Sequence, residues 1–181
     1  MTPNFKEERA TQLASMILKM RGGKMHYLKL IKLMYLIDRE ALLRWGWSMT
    51  RDKYVSMDNG CVLSRTYSLI REETLGASYW KKFISEPQGW QVSLLAEPEF
   101  DELSKAEVGL IEEIYKEFGH WNRWKLVDYT HSLPEWTDPK GSSIPIEYKE
   151  VMKAVGKSDQ EIAETMSELE EEALFEHLVK A

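Results

Sequence analysis

One run of residues limits what this chain can fold into more than any other. Between Gly22-Gly23 and Gly46, positions 26–45 carry Leu28, Leu30, Ile31, Leu33, Met34, Tyr35, Leu36 and Ile37. A helix over this run has apolar side chains on nearly every side, and such a helix is buried all round. The spacing predicts a helix from His26 to Trp45, closed by Gly46, with the other elements packed around it. The expected fold class is therefore mainly α: a compact multi-helix domain around a buried central helix, with a small β-hairpin element. A chain of 181 residues buries roughly 70% of its unfolded surface and needs no covalent staple. Its single cysteine, Cys61, rules out an intramolecular disulfide and disfavours a Cys-based zinc site.

The remaining elements follow from periodicity and punctuation. Phe5, Ala10, Leu13, Ala14, Ile17 and Leu18 form one stripe of a first helix ending before Gly22-Gly23. Tyr54 to Met57 alternates like a short strand stopped by Asp58-Asn59-Gly60. Ser64 is expected to cap a short helix reaching about Leu75. Trp90 to Leu95 reads as one arm of a small hairpin. Ser104-Lys105-Ala106-Glu107 is a capping box, in which hydroxyl and carboxylate each satisfy a free N–H at a helix start. The helix behind it runs to Phe118, and a shorter one follows from about Asn122 to Thr130. Pro145 is expected in the first turn of a helix through about Val155. A second capping box, Ser158-Asp159-Gln160-Glu161, opens a glutamate-rich helix with a narrow apolar stripe. Two parts are expected: a helical domain over residues 1–156 and an acidic amphipathic C-terminal helix over 157–181. That helix packs along its own domain or grips a partner, including a second copy in a homodimer.

The net charge of −6 conceals an asymmetry. Residues 1–90 hold 15 Lys and Arg against 9 Asp and Glu, whereas residues 91–181 hold 9 against 21. Two readings are open. The halves complement one another, within the fold or across a dimer, or the basic half is a nucleic-acid footprint. No dense Lys/Arg block is present, which disfavours nucleic acid. The opening Met-Thr-Pro-Asn-Phe-Lys-Glu-Glu-Arg is no secretory signal, and no apolar run reaches the roughly 20 residues of a membrane helix. The expectation is a cytoplasmic protein without a membrane partner.

Chemistry-bearing patterns are sparse. The four histidines, at 26, 120, 131 and 177, are far apart, and no HExxH, CxxC, GxxxxGK[ST] or GxGxxG pattern occurs. Cys61 sits by a turn with no nucleophile signature around it, and reads as a small structural cysteine. Neither a catalytic residue nor a cofactor is expected. The seven tryptophans are an unusual load. Most are expected in the core, with one or two at a surface where they suit a binding module.

Three stretches, taken in order, resemble a known family. Leu30-Ile31-Lys32-Leu33-Met34-Tyr35-Leu36-Ile37-Asp38-Arg39-Glu40 is similar to its signature helix, a Lys-Leu-x-Tyr core leading to an acidic residue. Tyr54 to Ser64 is similar to its central motif, an aromatic residue leading into Gly-Pro-Val. Leu126-Val127-Asp128-Tyr129-Thr130-His131-Ser132 followed by Trp136 is similar to its closing Thr-His…Trp motif. The family is the Panacea domain, also called SocA-like or phage-associated GepA-like, and the resemblance spans about residues 10–150. One departure stands out: Gly60-Cys61-Val62 occupies the Gly-Pro-Val position, so no proline fixes the backbone angle there.

The resemblance implies a mainly helical domain with a small β element that serves as a non-catalytic antitoxin of a toxin–antitoxin pair. The implied partner is a protein toxin encoded by the adjacent gene. It is neutralised by direct binding, or by delivery to a cytoplasmic protease with this chain as adaptor. Candidate toxin contacts are Tyr54, Met57, Gly60, Cys61, Val62, Thr130, His131 and Trp136, with the acidic C-terminal helix as a second surface. The competing reading of Thr130, His131 and Trp136 is that they cap a helix end and plug the core. The alternative function is a nucleic-acid-binding regulator using the basic N-terminal half.

Overall fold

The structure, a computed structural model, describes residues 4–73 and 78–180. Among them it is mainly helical, with eight helices and two small antiparallel sheets. Helix α1 spans Glu7–Met20, strand β1 Lys24–His26 and helix α2 Tyr27–Trp45. Strands β2 (Tyr54–Met57) and β3 (Gly60–Leu63) form a hairpin that runs directly into α3 (Ser64–Ile70). The short α4 (Trp80–Phe83) and strand β4 (Gln91–Ser93) follow, then α5 (Lys105–Phe118) and α6 (Arg123–His131). Strand β5 (Ile144–Ile146), α7 (Tyr148–Ala154) and α8 (Asp159–Lys180) complete the chain order. No helix among the described residues is long and apolar enough to cross a membrane.

The apolar run at 28–37 becomes α2. His26 caps it, its Nδ1 accepting the Leu28 N–H at 3.1 Å, and Gly46 ends it with φ 78°, a left-handed step glycine makes without strain. Every residue from Lys29 to Asp38 is buried, and α2 touches α1, α3, α5, α6, α7, β1 and β3. Its interior is not purely apolar. Lys32, Tyr35 and Asp38 are buried and Arg39 is mostly so, at spacings that place them along one side of the helix.

Both capping boxes form. Ser104 and Glu107 close the start of α5, and Ser158 and Glu161 that of α8. Three other expectations are corrected. Ser64 is the first residue of α3, not its cap, and α3 ends at Ile70, well before Leu75, which lies outside the described residues. The free N–H groups of Arg65 and Thr66 instead donate to the Asp52 carboxylate, each at 2.8 Å. Pro145 lies in β5, paired with Val55, and α7 starts later behind its own Glu147–Glu150 capping box. Strand β5 is at the sheet edge, where a residue without an N–H is tolerated. Residues 91–93 do make an arm, bridged loosely at Ile84–Leu94 and Gln88–Gln91, but their regular partner is β1, far away in sequence.

Charge binds the two halves of the chain together. Lys6, Arg9, Lys19, Arg39, Arg44 and Arg51 pair with Glu176, Glu107, Glu97, Glu135, Glu113 and Glu172 respectively, and Arg51 also reaches Glu176 at 2.8 Å. The first residue of each pair comes from the basic half and the second from the acidic half. Helix α8 lies along the body through buried Leu169 and Ala173 and half-buried Ile162 and Met166. Leu174, Phe175, Leu178 and Val179 face outward in its last turns, each more than half exposed.

Because Asp52 takes the capping role, Ser64→Ala should change stability by less than about 0.5 kcal/mol. Asp52→Ala should cost about 2–3 kcal/mol, since it also strands the buried Thr66 hydroxyl. Urea denaturation of the two variants beside the wild type checks this; equal losses would return the cap to Ser64.

Candidate functional site

Seven of the eight candidates, Met57, Gly60, Cys61, Val62, Thr130, His131 and Trp136, lie around the turn end of the β2–β3 hairpin, whereas Tyr54 lies at its other end, paired with Leu63. After Asp58 and Asn59 the chain turns at Gly60, whose φ of 91° is left-handed. A Cβ there would lie 2.1 Å from Thr130 Oγ1 and 3.1 Å from Lys32 Nζ, so glycine is required by both conformation and space. Cys61 is fully buried, its carbonyl accepting from Lys32 Nζ at 2.7 Å and its thiol 3.8 Å from the Thr130 carbonyl. The hairpin turn thus survives without the proline, held from beneath by α2 and α6. Burial pushes the Cys61 thiol up to about 11, which keeps it protonated and unreactive near neutral pH.

The remaining candidates tie α6 and the loop after it to the same turn. Thr130 is buried, and its hydroxyl donates to the Val127 carbonyl at 3.0 Å. His131 Nε2 lies 2.8 Å from the Asp58 carbonyl oxygen, and its ring packs on Trp136 with centroids 4.3 Å apart. Trp136 Nε1 donates to the Met57 carbonyl at 3.1 Å. Tyr54 is buried under the sheet, its hydroxyl donating to Asp38 at 2.9 Å, and Val62 is buried as well. Gly60, Cys61, Val62 and Thr130 therefore build the face from inside, while Tyr54 anchors the far end of the hairpin to α2. Met57, His131 and Trp136, half-buried, and Asp58 and Asn59, exposed, reach its surface.

The signature helix explains itself physically here. Lys32 holds the Cys61 carbonyl. Tyr35 donates to the buried Glu135 carboxylate at 2.9 Å, which Arg39 clamps with two bonds of 2.5 and 3.1 Å. Asp38, completely buried, accepts from Ser48, Tyr54 and both the N–H and hydroxyl of Thr50. Its desolvation raises its pKa against the lowering effect of these donors. Glu135 escaped the sequence reading because nothing local to Pro134-Glu135-Trp136 indicates that it is buried. Asp38, Asp52 and Glu135 all have their oxygens engaged by protein donors, an arrangement that fixes loops rather than presents a free acid or base.

Beside this face opens a groove of about 460 Å³ that the sequence did not disclose. Tyr27 on α2, Trp90 before β4, Tyr67 on α3 and Trp124 on α6 give it aromatic walls, and Arg123, His26, Asn59 and Asp58 supply polar groups. Trp90 and Trp124 are 66% and 53% exposed. Of the seven tryptophans Trp80 is fully buried and the half-buried Trp45, Trp121 and Trp136 pack against the core, so most are core as expected, but three and not one or two, Trp47, Trp90 and Trp124, are exposed. The signal available in sequence was the Arg123-Trp124 pair itself, a tryptophan beside a charged residue directly after the Asn122 cap.

Burial pushes the Lys32 ammonium down to about 7, whereas the unfolded residue titrates near 10.5. Between these values the unfolded chain binds the extra proton, so stability rises with pH through that window, by at most about 1.4 kcal/mol per pH unit. Cys61, shifted from 9.0 to about 11, opposes this only above pH 9. Denaturation at pH 7.5 and 8.5 should show the wild type gaining stability over that step, and Lys32→Met should flatten the difference. An unchanged slope in the variant would mean that Lys32 is not the group responsible.

No curated protein and no solved structure matches the chain. A family model does, over residues 30–137, described as the antitoxin SocA-like, Panacea domain. That stretch begins in the signature helix, takes in the hairpin and α6, and ends just past Trp136, the same elements that converge on the hairpin turn. The chain belongs to the SocA-like antitoxin family, the Panacea domain.

Proposed function

We propose that this protein is an antitoxin that neutralises a protein toxin encoded by the adjacent gene, binding it through the face built on the β2–β3 turn and the end of α6. The observation that carries this reading is the convergence of the family's motifs on one surface. Buried Lys32, Gly60, Cys61 and Thr130 lock the turn, and Met57, Asp58, Asn59, His131 and Trp136 are displayed on it. A preformed face of this kind limits the ordering cost of association. The protein acts by binding and not by catalysis, in the cytoplasm, either by occluding the toxin or by presenting it to a protease.

The helical body over residues 1–156 carries this face, and the acidic helix over 157–181 is an appended element. Its outward Leu174, Phe175, Leu178 and Val179 offer a second contact, to the toxin or to another copy of the chain. The nucleic-acid-regulator reading loses its motive, because six basic residues of the N-terminal half pair with glutamates of the other half and so do not form a free phosphate-binding track.

Co-expression with the neighbouring gene product, scoring growth and co-purification, tests the function. Rescue with a stable complex supports occlusion. Rescue in which the toxin disappears only when a cytoplasmic protease is present supports delivery. A neighbour that is harmless alone and does not co-purify refutes the reading. Asn59→Arg, at an exposed turn position, should leave the melting temperature unchanged and weaken the complex at least about tenfold, as a charge placed in a contact centre does. Undiminished affinity would remove the turn from the contact.

A further inference from the structure

The aromatic groove beside the hairpin has features that packing does not account for. Its rim residue Trp90 has φ 70°, a left-handed backbone that a bulky side chain adopts only under constraint. The constraint is visible: the Trp90 carbonyl accepts the Tyr27 N–H at 2.9 Å, and Gln91, next in the chain, is held in the β1–β4 pair. The strained residue nevertheless leaves its indole 66% exposed, touching Tyr27 with ring centroids 6.0 Å apart. Backbone strain is thus maintained at a position whose side chain faces solvent.

In the same lining, Arg123 stacks on the exposed Trp124 ring with its guanidinium 5.1 Å from the ring centroid. Among the described residues no carboxylate comes within 4 Å of Arg123, although Lys6, Arg9, Lys19, Arg39, Arg44 and Arg51 each have one. The groove's own carboxylate, Asp58, accepts the Gly141 N–H at 2.9 Å and forms no ion pair with it. His26 lies in the same lining. Its Nδ1 accepts from Leu28, so its Nε2 carries the proton in the neutral ring and is available as a donor. Burial, and then the charge of Arg123, hold His26 below its ordinary pKa.

We infer that this groove receives a segment of the protein toxin in which a carboxylate, meeting Arg123, adjoins an apolar or aromatic side chain that packs against Trp90 and Trp124. The inference rests on the proposed reading of the chain as a toxin binder and adds the chemistry of the contact. Charge complementarity selects the acidic group, and the aromatic walls select its neighbour. A single-stranded nucleic acid would also stack on tryptophan. It needs a line of cations to follow its backbone, however, and the groove offers one guanidinium in a chain of net charge −6.

Isothermal titration of the full chain with the purified toxin tests this. Arg123→Glu should weaken binding by about thirtyfold or more, the range of an interface anchor. Trp90→Gly should weaken it at least about tenfold, yet its melting temperature should stay level or rise, because glycine removes the left-handed strain. A residue serving only the fold would show the opposite pattern. If the toxin binds and both variants stay within threefold of wild type, the groove assignment fails while the function stands. If the toxin does not bind the wild type, both fail. Binding of a 20-nucleotide oligothymidylate that Arg123→Glu abolishes would identify a nucleic-acid site and overturn the inference.

Discussion

The structure hangs on a row of polar side chains inside helix α2. Lys32, Tyr35, Asp38 and Arg39 share one side of a helix that is otherwise largely apolar, and between them they reach three non-helical segments. Lys32 holds β3 at Cys61, Tyr35 and Arg39 hold Glu135 before Trp136, and Asp38 holds Ser48, Thr50 and Tyr54. Hydrophobic burial fastens helices to one another but is non-directional, and does not set the register of loops. Buried hydrogen bonds do, because a displaced partner leaves a polar group unsatisfied in a medium of low dielectric constant. The hairpin turn, the 48–54 loop and the 133–137 loop are irregular segments that would otherwise be the mobile parts of a small helical protein. All three are tethered to one rigid helix, and the hairpin turn and the 133–137 loop meet in one face.

The same reasoning explains the charge distribution. A chain with its basic residues in one half and its acidic residues in the other suggests an electrostatic partner when read linearly. In the fold the two halves are interleaved: α5, α8 and the loops carrying Glu97 and Glu135 pack against α1, α2 and the Arg51 loop. Exposed pairs such as Lys19–Glu97 contribute little stability in water. Their value is orientational, since like charges at those positions would oppose docking of the second half on the first. The acidic surplus remains on the outward side of α8, where Glu164, Glu168 and Glu171 are exposed.

What was legible in the sequence is what local physics decides. The α2 run, both Ser-x-x-Glu boxes, the Gly46 stop and the Asp58-Asn59-Gly60 turn are each settled within a few residues, and each stands where periodicity and capping chemistry put it. The misplacements share one cause, a partner distant in the chain. Ser64 has the right chemistry for a cap, but Asp52 arrives from the preceding loop with two oxygens and satisfies two N–H groups at once. Pro145 suits a helix start, but β2 had an open edge and a proline costs nothing on the outer strand of a sheet. Residues 91–93 looked like half of a local hairpin because alternation cannot name the strand that will pair with it. The candidate site was legible as a set of residues and not as a surface. The motifs selected Tyr54, Gly60, Cys61, Val62 and Thr130, and only folding reveals that the last four lie beneath the turn face while Tyr54 anchors the far end of the hairpin.

That distinction has a consequence for how a binding family of this kind can change partners. Residues that must agree with one another in a packed interior, such as Gly60 against Thr130 and Lys32, cannot vary singly without cost, since even a methyl at position 60 collides with the Thr130 hydroxyl. Residues at the rim, such as Asn59, Trp90, Arg123 and Trp124, have no such obligation to the fold. Replacing them alters the chemistry of the surface and leaves the tethers intact. Trp90 marks the limit of that freedom: its left-handed backbone is held by the β1–β4 pairing while most of its indole, beyond the contact with Tyr27, stays exposed. A scaffold defined by buried motifs and a contact surface defined by unconstrained neighbours can be selected separately. On the proposed reading, the motifs that identify this family therefore specify how the contact face is built, and the groove residues specify what it binds.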